Sequence, residues 1–128
     1  MRIVKTLLPM LLLGALLTGC ASGTITNLTA KQQFRNDNGF YPIEAAFASS
    51  QQSLIWPSIR PVAISGKEPF PMHLTTLMTN RWETIIPAPP GAKVIYYRFK
   101  FDYSYNGFGP VKDNSKLSPV YRLQILDK

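Results

Sequence analysis

The chain has one cysteine and one histidine among 128 residues, and seven acidic side chains against fourteen Lys and Arg. Each scarcity removes a class of chemistry. A lone thiol, Cys20, closes no disulfide within the chain. A lone His73 and dispersed carboxylates offer neither a zinc ligand set nor a calcium loop. There is no G-x-S-x-G elbow, phosphate loop or dinucleotide fingerprint. Counting alone does not remove a Ser–His–Asp arrangement. A paired-carboxylate hydrolase would draw on Glu44, Glu68, Glu83, Asp102 or Asp113, and their spacing gives no reason to bring two together. Lys and Arg are scattered rather than gathered in a stripe, so the net charge of +7 does not read as a nucleic-acid surface. These features lead us to expect a protein that is not an enzyme and uses no cofactor or metal. Long helices are scarce too. Eleven prolines are spread along the chain, each removing a backbone donor and blocking helix interiors. The best short helical window is Glu44 to Gln52.

What is present begins at the N-terminus. Arg2 and Lys5 form a positive head before Leu7 to Leu17, an apolar run broken only by Pro9 and Gly14. As a helix this run covers roughly 16 Å, about half of a hydrocarbon core. That is short for a membrane span and suits the apolar region of an export signal.

Leu17-Thr18-Gly19-Cys20 resembles the lipobox of bacterial lipoproteins, Leu-x-Gly/Ala-Cys. The resemblance implies that the Cys20 thiol carries diacylglycerol, that cleavage precedes Cys20, and that the new amino group is acylated. Two or three chains hold firmly at about 0.8 kcal/mol per buried methylene, where one binds only marginally. In Gram-negative lipoproteins an Asp after the cysteine often retains the protein at the inner membrane. Ala21 therefore implies the outer membrane for a host of that type.

The expected organisation is a signal peptide over 1–19, a lipidated end and short tether over 20–23, and one domain over 24–128. Taking 19 residues from 128 leaves 109, enough for one core and too few for two. Arg2 and Lys5 leave with the signal, so twelve basic and seven acidic side chains remain, a net of +5. This charge suits anionic headgroups or lipopolysaccharide, and equally suits solubility.

The remaining sequence reads as short strands between turns: Thr24–Thr29, Phe40–Ala48, Ile59–Ser65, Phe70–Thr76, Arg81–Ile86, Lys93–Tyr103 and Pro119–Leu126. The clearest is KVIYYRFKFDY. Ile95, Tyr97, Phe99, Phe101 and Tyr103 fall on one face, and Val94, Tyr96, Arg98, Lys100 and Asp102 on the other. This period of two predicts one buried and one solvated face. Tyr121, Leu123 and Ile125 likewise point inward. Seven such runs with aromatic inner faces need a second layer, which predicts an antiparallel, immunoglobulin-like β-sandwich. A small barrel is the main alternative. If Thr24 opens the first strand, three residues separate Cys20 from the fold and reach at most about 10 Å. Otherwise residues 21–39 form a coil reaching roughly 24 Å.

The stretch RWETIIPAPPGAKVIYYRFKFD is similar to the latter half of early-set immunoglobulin-like modules, which include starch-binding ones. With the lipobox, the whole chain resembles small bacterial lipoproteins that carry one such domain, a family that implies no specific activity. Two Trp, six Tyr and seven Phe supply the candidate ligand-binding residues. Trp56 and Trp82 have faces on which sugar rings stack, although core packing is the favoured reading of Trp82. Tyr105 and Phe108 lie in or beside a loop, and Tyr96, Arg98 and Lys100 form an amphipathic strand face. The expected function is a structural or protein-interaction module, lipid-anchored at the bacterial envelope. A carbohydrate-binding module is the alternative and a small hydrolase the third reading. The expected partners are the membrane, through Cys20, with envelope proteins or polysaccharide, and not nucleic acid.

Overall fold

The computed structural model describes residues 23–128; the signal region and Cys20 lie outside these. The described residues form ten strands and no helix: β1 Thr24–Asn27, β2 Gln32–Phe34, β3 Phe40–Ala48, β4 Leu54–Ser65, β5 Glu68–Pro71, β6 His73–Leu74, β7 Arg81–Pro87, β8 Val94–Tyr105, β9 Lys112–Leu117 and β10 Tyr121–Leu126. They build two sheets, ordered β1-β3-β7-β6 and β2-β10-β8-β4-β5, with β9 also paired to β8. The fold is an all-β sandwich. Pairing is antiparallel except for β2, which runs parallel to β10.

β8 organises the core because its alternation is strict. Ile95, Tyr97, Phe99, Phe101 and Tyr103 are all buried. From the other sheet, β3 supplies Tyr41, Ile43, Ala45 and Phe47, and β7 supplies Trp82 and Ile86. Apolar faces of this kind are stable only when stacked together. Where they meet, the Phe47 and Phe101 rings lie 5.0 Å apart and Trp82 meets Phe101 edge-on at 5.5 Å. Asn27 Nδ2 donates to the Tyr97 hydroxyl at 2.9 Å, joining the sheets by a polar contact.

The structure adds to the expected strands and divides one of them. The 70–76 run splits because the chain changes sheets at buried Met72: β5 pairs with β4, and β6 pairs with β7. Strand β4 starts at Leu54 despite Pro57, since a bulge absorbs the proline between Ile55 and Arg60. β9 and β10 lie along the same edge of β8, β9 opposite residues 100–105 and β10 opposite 94–97. The 44–52 window is not helical; β3 occupies most of it, because Ile43, Ala45 and Phe47 alternate into the core.

The pairing registers define two poles. Thr24 pairs with Ala48, and Leu54 and Lys112 both pair with Tyr105. The connections 49–53, 75–80 and 106–111 therefore gather at one end, where the described chain begins; Phe47 N donates to Asn80 O, and Asn106 N to Ser53 O. We call it the N-terminal pole. The opposite, C-terminal pole holds the turns at 36–39 and 66–67, the 88–93 connection and the chain end. There Arg35 Nε lies 2.6 Å from Asp127 Oδ1. The two-residue turn Gly66-Lys67 has positive φ at both positions, 59° and 69°, as a type I′ hairpin requires.

Candidate functional site

Three surfaces carry side chains with chemistry to offer. The first is an open hollow on the outer face of β4, β8 and β9, lined by Ser58, Arg60, Asp102, Ser104, Asp113 and Ser115 among others. Register builds it: Arg60 and Ser115 flank Asp102 on either side, and Asp113 faces Ser104. Asp102 and Asp113 thus share a face at diagonal positions, about 7–8 Å apart at that spacing. Ser104 Oγ donates to Asp113 Oδ1 at 2.7 Å, and Lys100 Nζ lies 3.8 Å from Asp102 Oδ1.

The β4 bulge frames this hollow. Four residues of β4, 56 to 59, stand where β8 has only Tyr103. Ser58 Oγ accepts from Ser104 N at 2.8 Å and donates to Ile55 O at 2.5 Å, pinning the bulge. Trp56, next to Pro57 in this bulge, is 45% exposed.

The second surface is a charged row on the outer face of the other sheet. Glu44 lies directly opposite Glu83, and His73 pairs with Glu83 from its other side. Arg81 Nη1 is 3.9 Å from Glu44 Oε1, and His73 Nε2 is 3.7 Å from Glu83 Oε1. Arg81 sets a cation beside Glu44, one of two carboxylates that repel each other across the ladder. All four side chains reach solvent. No group of three or more His, Cys, Asp or Glu suited to a metal occurs among the described residues.

The third surface is the N-terminal pole. Phe108, at 106% exposure, and Leu77, at 98%, are the most exposed of its large apolar side chains.

The residues singled out by sequence are dispersed over the molecule. Trp82 is only 5% exposed and packs on Phe101, so it offers no face for stacking a ligand. Its place on the β7 face that meets β8 puts it in the core. Tyr105 ends β8 and packs against the core edge. Tyr96 lies toward the C-terminal pole at 61% exposure, beside Phe70, Pro89 and Val94. Arg98 Nε and Nη2 both donate to Ser118 O, at 3.0 and 2.7 Å. Lys100 faces Asp102. The charged members of the 96–100 face thus each have a partner on the outer side of β8.

Sequence reasoning missed the diagonal placement of Asp102 and Asp113 and the pairing Glu44–Glu83, which arise only from register. It also missed Leu77, whose positive φ of 65° leaves no signature in composition. No protein-family model, curated protein or solved structure matches the chain.

Proposed function

We propose that the chain is a lipid-anchored protein of the bacterial envelope whose β-sandwich acts as a non-enzymatic structural or protein-interaction module. The observation that supports this reading most directly is the distance, along the chain, between lipobox and fold. β1 opens at Thr24, four residues after Cys20. Gly23 is already buried, and a Cβ there would collide with the Phe47 ring. Ala21 and Ser22 then remain as spacer, reaching at most about 7 Å. A lipid on Cys20 would hold the sandwich against the bilayer, with the outer sheet faces and the C-terminal pole left open to partners. The likeness to small lipoproteins with one early-set domain supports the same reading, as does Ala21 for an outer-membrane address in a Gram-negative host. Cys20→Ser should release the protein from membranes and abolish palmitate labelling. Continued labelling of that variant overturns the anchor.

A second reading, carbohydrate binding, is favoured by Trp56. This half-exposed residue belongs to the same β4 bulge as Ser58, which lines a hollow holding Arg60, Asp102 and Asp113. Flat aromatic faces beside hydrogen-bonding groups suit sugar rings. A polysaccharide pull-down that succeeds with the native protein and fails with folded Trp56→Ala would establish it. No retention of envelope polysaccharides by the native protein removes it.

A further inference from the structure

The two poles are chemically unlike. The C-terminal pole carries Arg35, Asp37, Lys67, Lys93, Asp127 and Lys128. The three connections of the N-terminal pole are SSQQS, TTLMTN and NGFGPV, and none holds a charged side chain, although the chain carries +7. The first residues behind two of them are cations: Arg81 opens β7 and Lys112 opens β9. On two of these loops sit Leu77 and Phe108, both almost fully in solvent, with Met78 and Val111 also exposed beside them.

Fold stability does not account for these side chains. Phe108 packs on nothing, and its neighbours are Gly107 and Gly109. Leu77 combines full exposure with a left-handed backbone that favours glycine or asparagine. Exposed large apolar groups gathered without charge mark an interaction surface.

What covers this surface follows from where the chain enters. Gly23 is packed at the same pole, against Phe47, so the described chain begins among these loops, three residues after Cys20 in sequence. We propose that the N-terminal pole is a bilayer-docking surface, with Leu77 and Phe108 inserting into the lipid interface and Arg81 and Lys112 meeting anionic headgroups. This rests on the anchor reading above and adds an orientation to it: the sandwich stands on its N-terminal pole and turns its charged pole away from the membrane. Apolar groups flanked by two cations match the interfacial region, which takes apolar faces to a depth of about 5–10 Å. The Ser, Thr, Gln and Asn of the same loops suit headgroup hydrogen bonding. A spacer of two residues leaves the pole little to meet except its own membrane.

The test uses the full lipidated chain, in which Cys20 is acylated and an introduced cysteine is the sole reactive thiol. Leu77→Cys, Phe108→Cys and Lys67→Cys are each labelled with a polarity-sensitive fluorophore. The proteins are reconstituted in vesicles of phosphatidylethanolamine and phosphatidylglycerol containing brominated lipid. The proposal predicts blue-shifted, bromine-quenched emission at 77 and 108, and water-like, unquenched emission at 67. Equal, water-like emission at all three sites in membrane-bound, lipidated protein overturns docking while leaving the anchor intact. Blue-shifted emission at 77 and 108 that bromine does not quench and dilution of protein in the vesicles abolishes assigns the pole to a second copy, and also overturns it. An unmodified Cys20 with protein in the supernatant overturns the anchor itself, and docking with it.

Discussion

Phe47 and Phe101 stack almost in parallel across the sandwich, with ring centroids 5.0 Å apart and planes 9° from parallel. They come from different sheets, are separated by more than fifty residues of sequence, and are both fully buried. Tyr103 and Trp82 close around them, so this stack is the aromatic centre of the core near the N-terminal pole. Phe101→Ala should cost about 3–5 kcal/mol, a large share of the 5–15 kcal/mol typical of a domain. Chemical denaturation followed by near-ultraviolet circular dichroism measures it. A loss below about 1 kcal/mol would mean that the sheets are held together elsewhere.

Ser118 is the one buried polar residue among the described residues, and it sits where the edge of β8 passes from β9 to β10. Its Oγ accepts from Phe99 N at 2.8 Å and donates to Pro119 O at 2.9 Å. Ser118→Ala leaves the Phe99 amide buried without a partner, at a cost of about 1–3 kcal/mol. Hydrogen exchange at the Phe99 amide should quicken correspondingly. An unchanged exchange rate contradicts this assignment of the Ser118 bond.

How much of this the sequence displays depends on how many faces each strand buries. β8 and β10 are legible because one face is apolar throughout and the other polar. β9, KDNSKL, is invisible to periodicity because it is largely exposed. Its lysines suit an edge, where charge discourages further pairing, but they leave no core pattern to read. β2 is three residues long and mostly exposed. The surfaces fare worse than the strands. Glu44 and Glu83 lie far apart along the chain, as do Leu77 and Phe108, and only register or topology brings them to one face or one pole. Trp82 resolves to the core for the reason already present in its strand: it alternates with Arg81 and Glu83.

Leu77 sets stability against the proposed docking. A left-handed residue with a Cβ costs roughly 1–2 kcal/mol, a cost that Asn partly escapes. Leu77→Asn should therefore raise the melting temperature slightly, by the equivalent of about 0.5–1 kcal/mol, while weakening vesicle contact at that loop. A fall in melting temperature would show that Leu77 packs in the fold.

The Arg35–Asp127 pair predicts a small pH effect at the C-terminal pole. The hydrogen bond from Arg35, at 2.6 Å, holds the Asp127 carboxyl below its ordinary range. The folded value is the depressed one, so the contribution is fully present above the unfolded value and is lost as pH falls through the folded one. Both groups face solvent, so it is also screened by salt. An NMR titration of the Asp127 carboxyl should show a depressed midpoint that returns towards normal in Arg35→Gln. A midpoint indifferent to that substitution contradicts the pairing.

Intact-mass analysis of the protein isolated from its native cells tests the central claim most directly. The account predicts a chain beginning at Cys20, heavier by a diacylglycerol and an N-acyl group. A mass matching the unprocessed sequence, with residues 1–19 attached and a free thiol at Cys20, would contradict it.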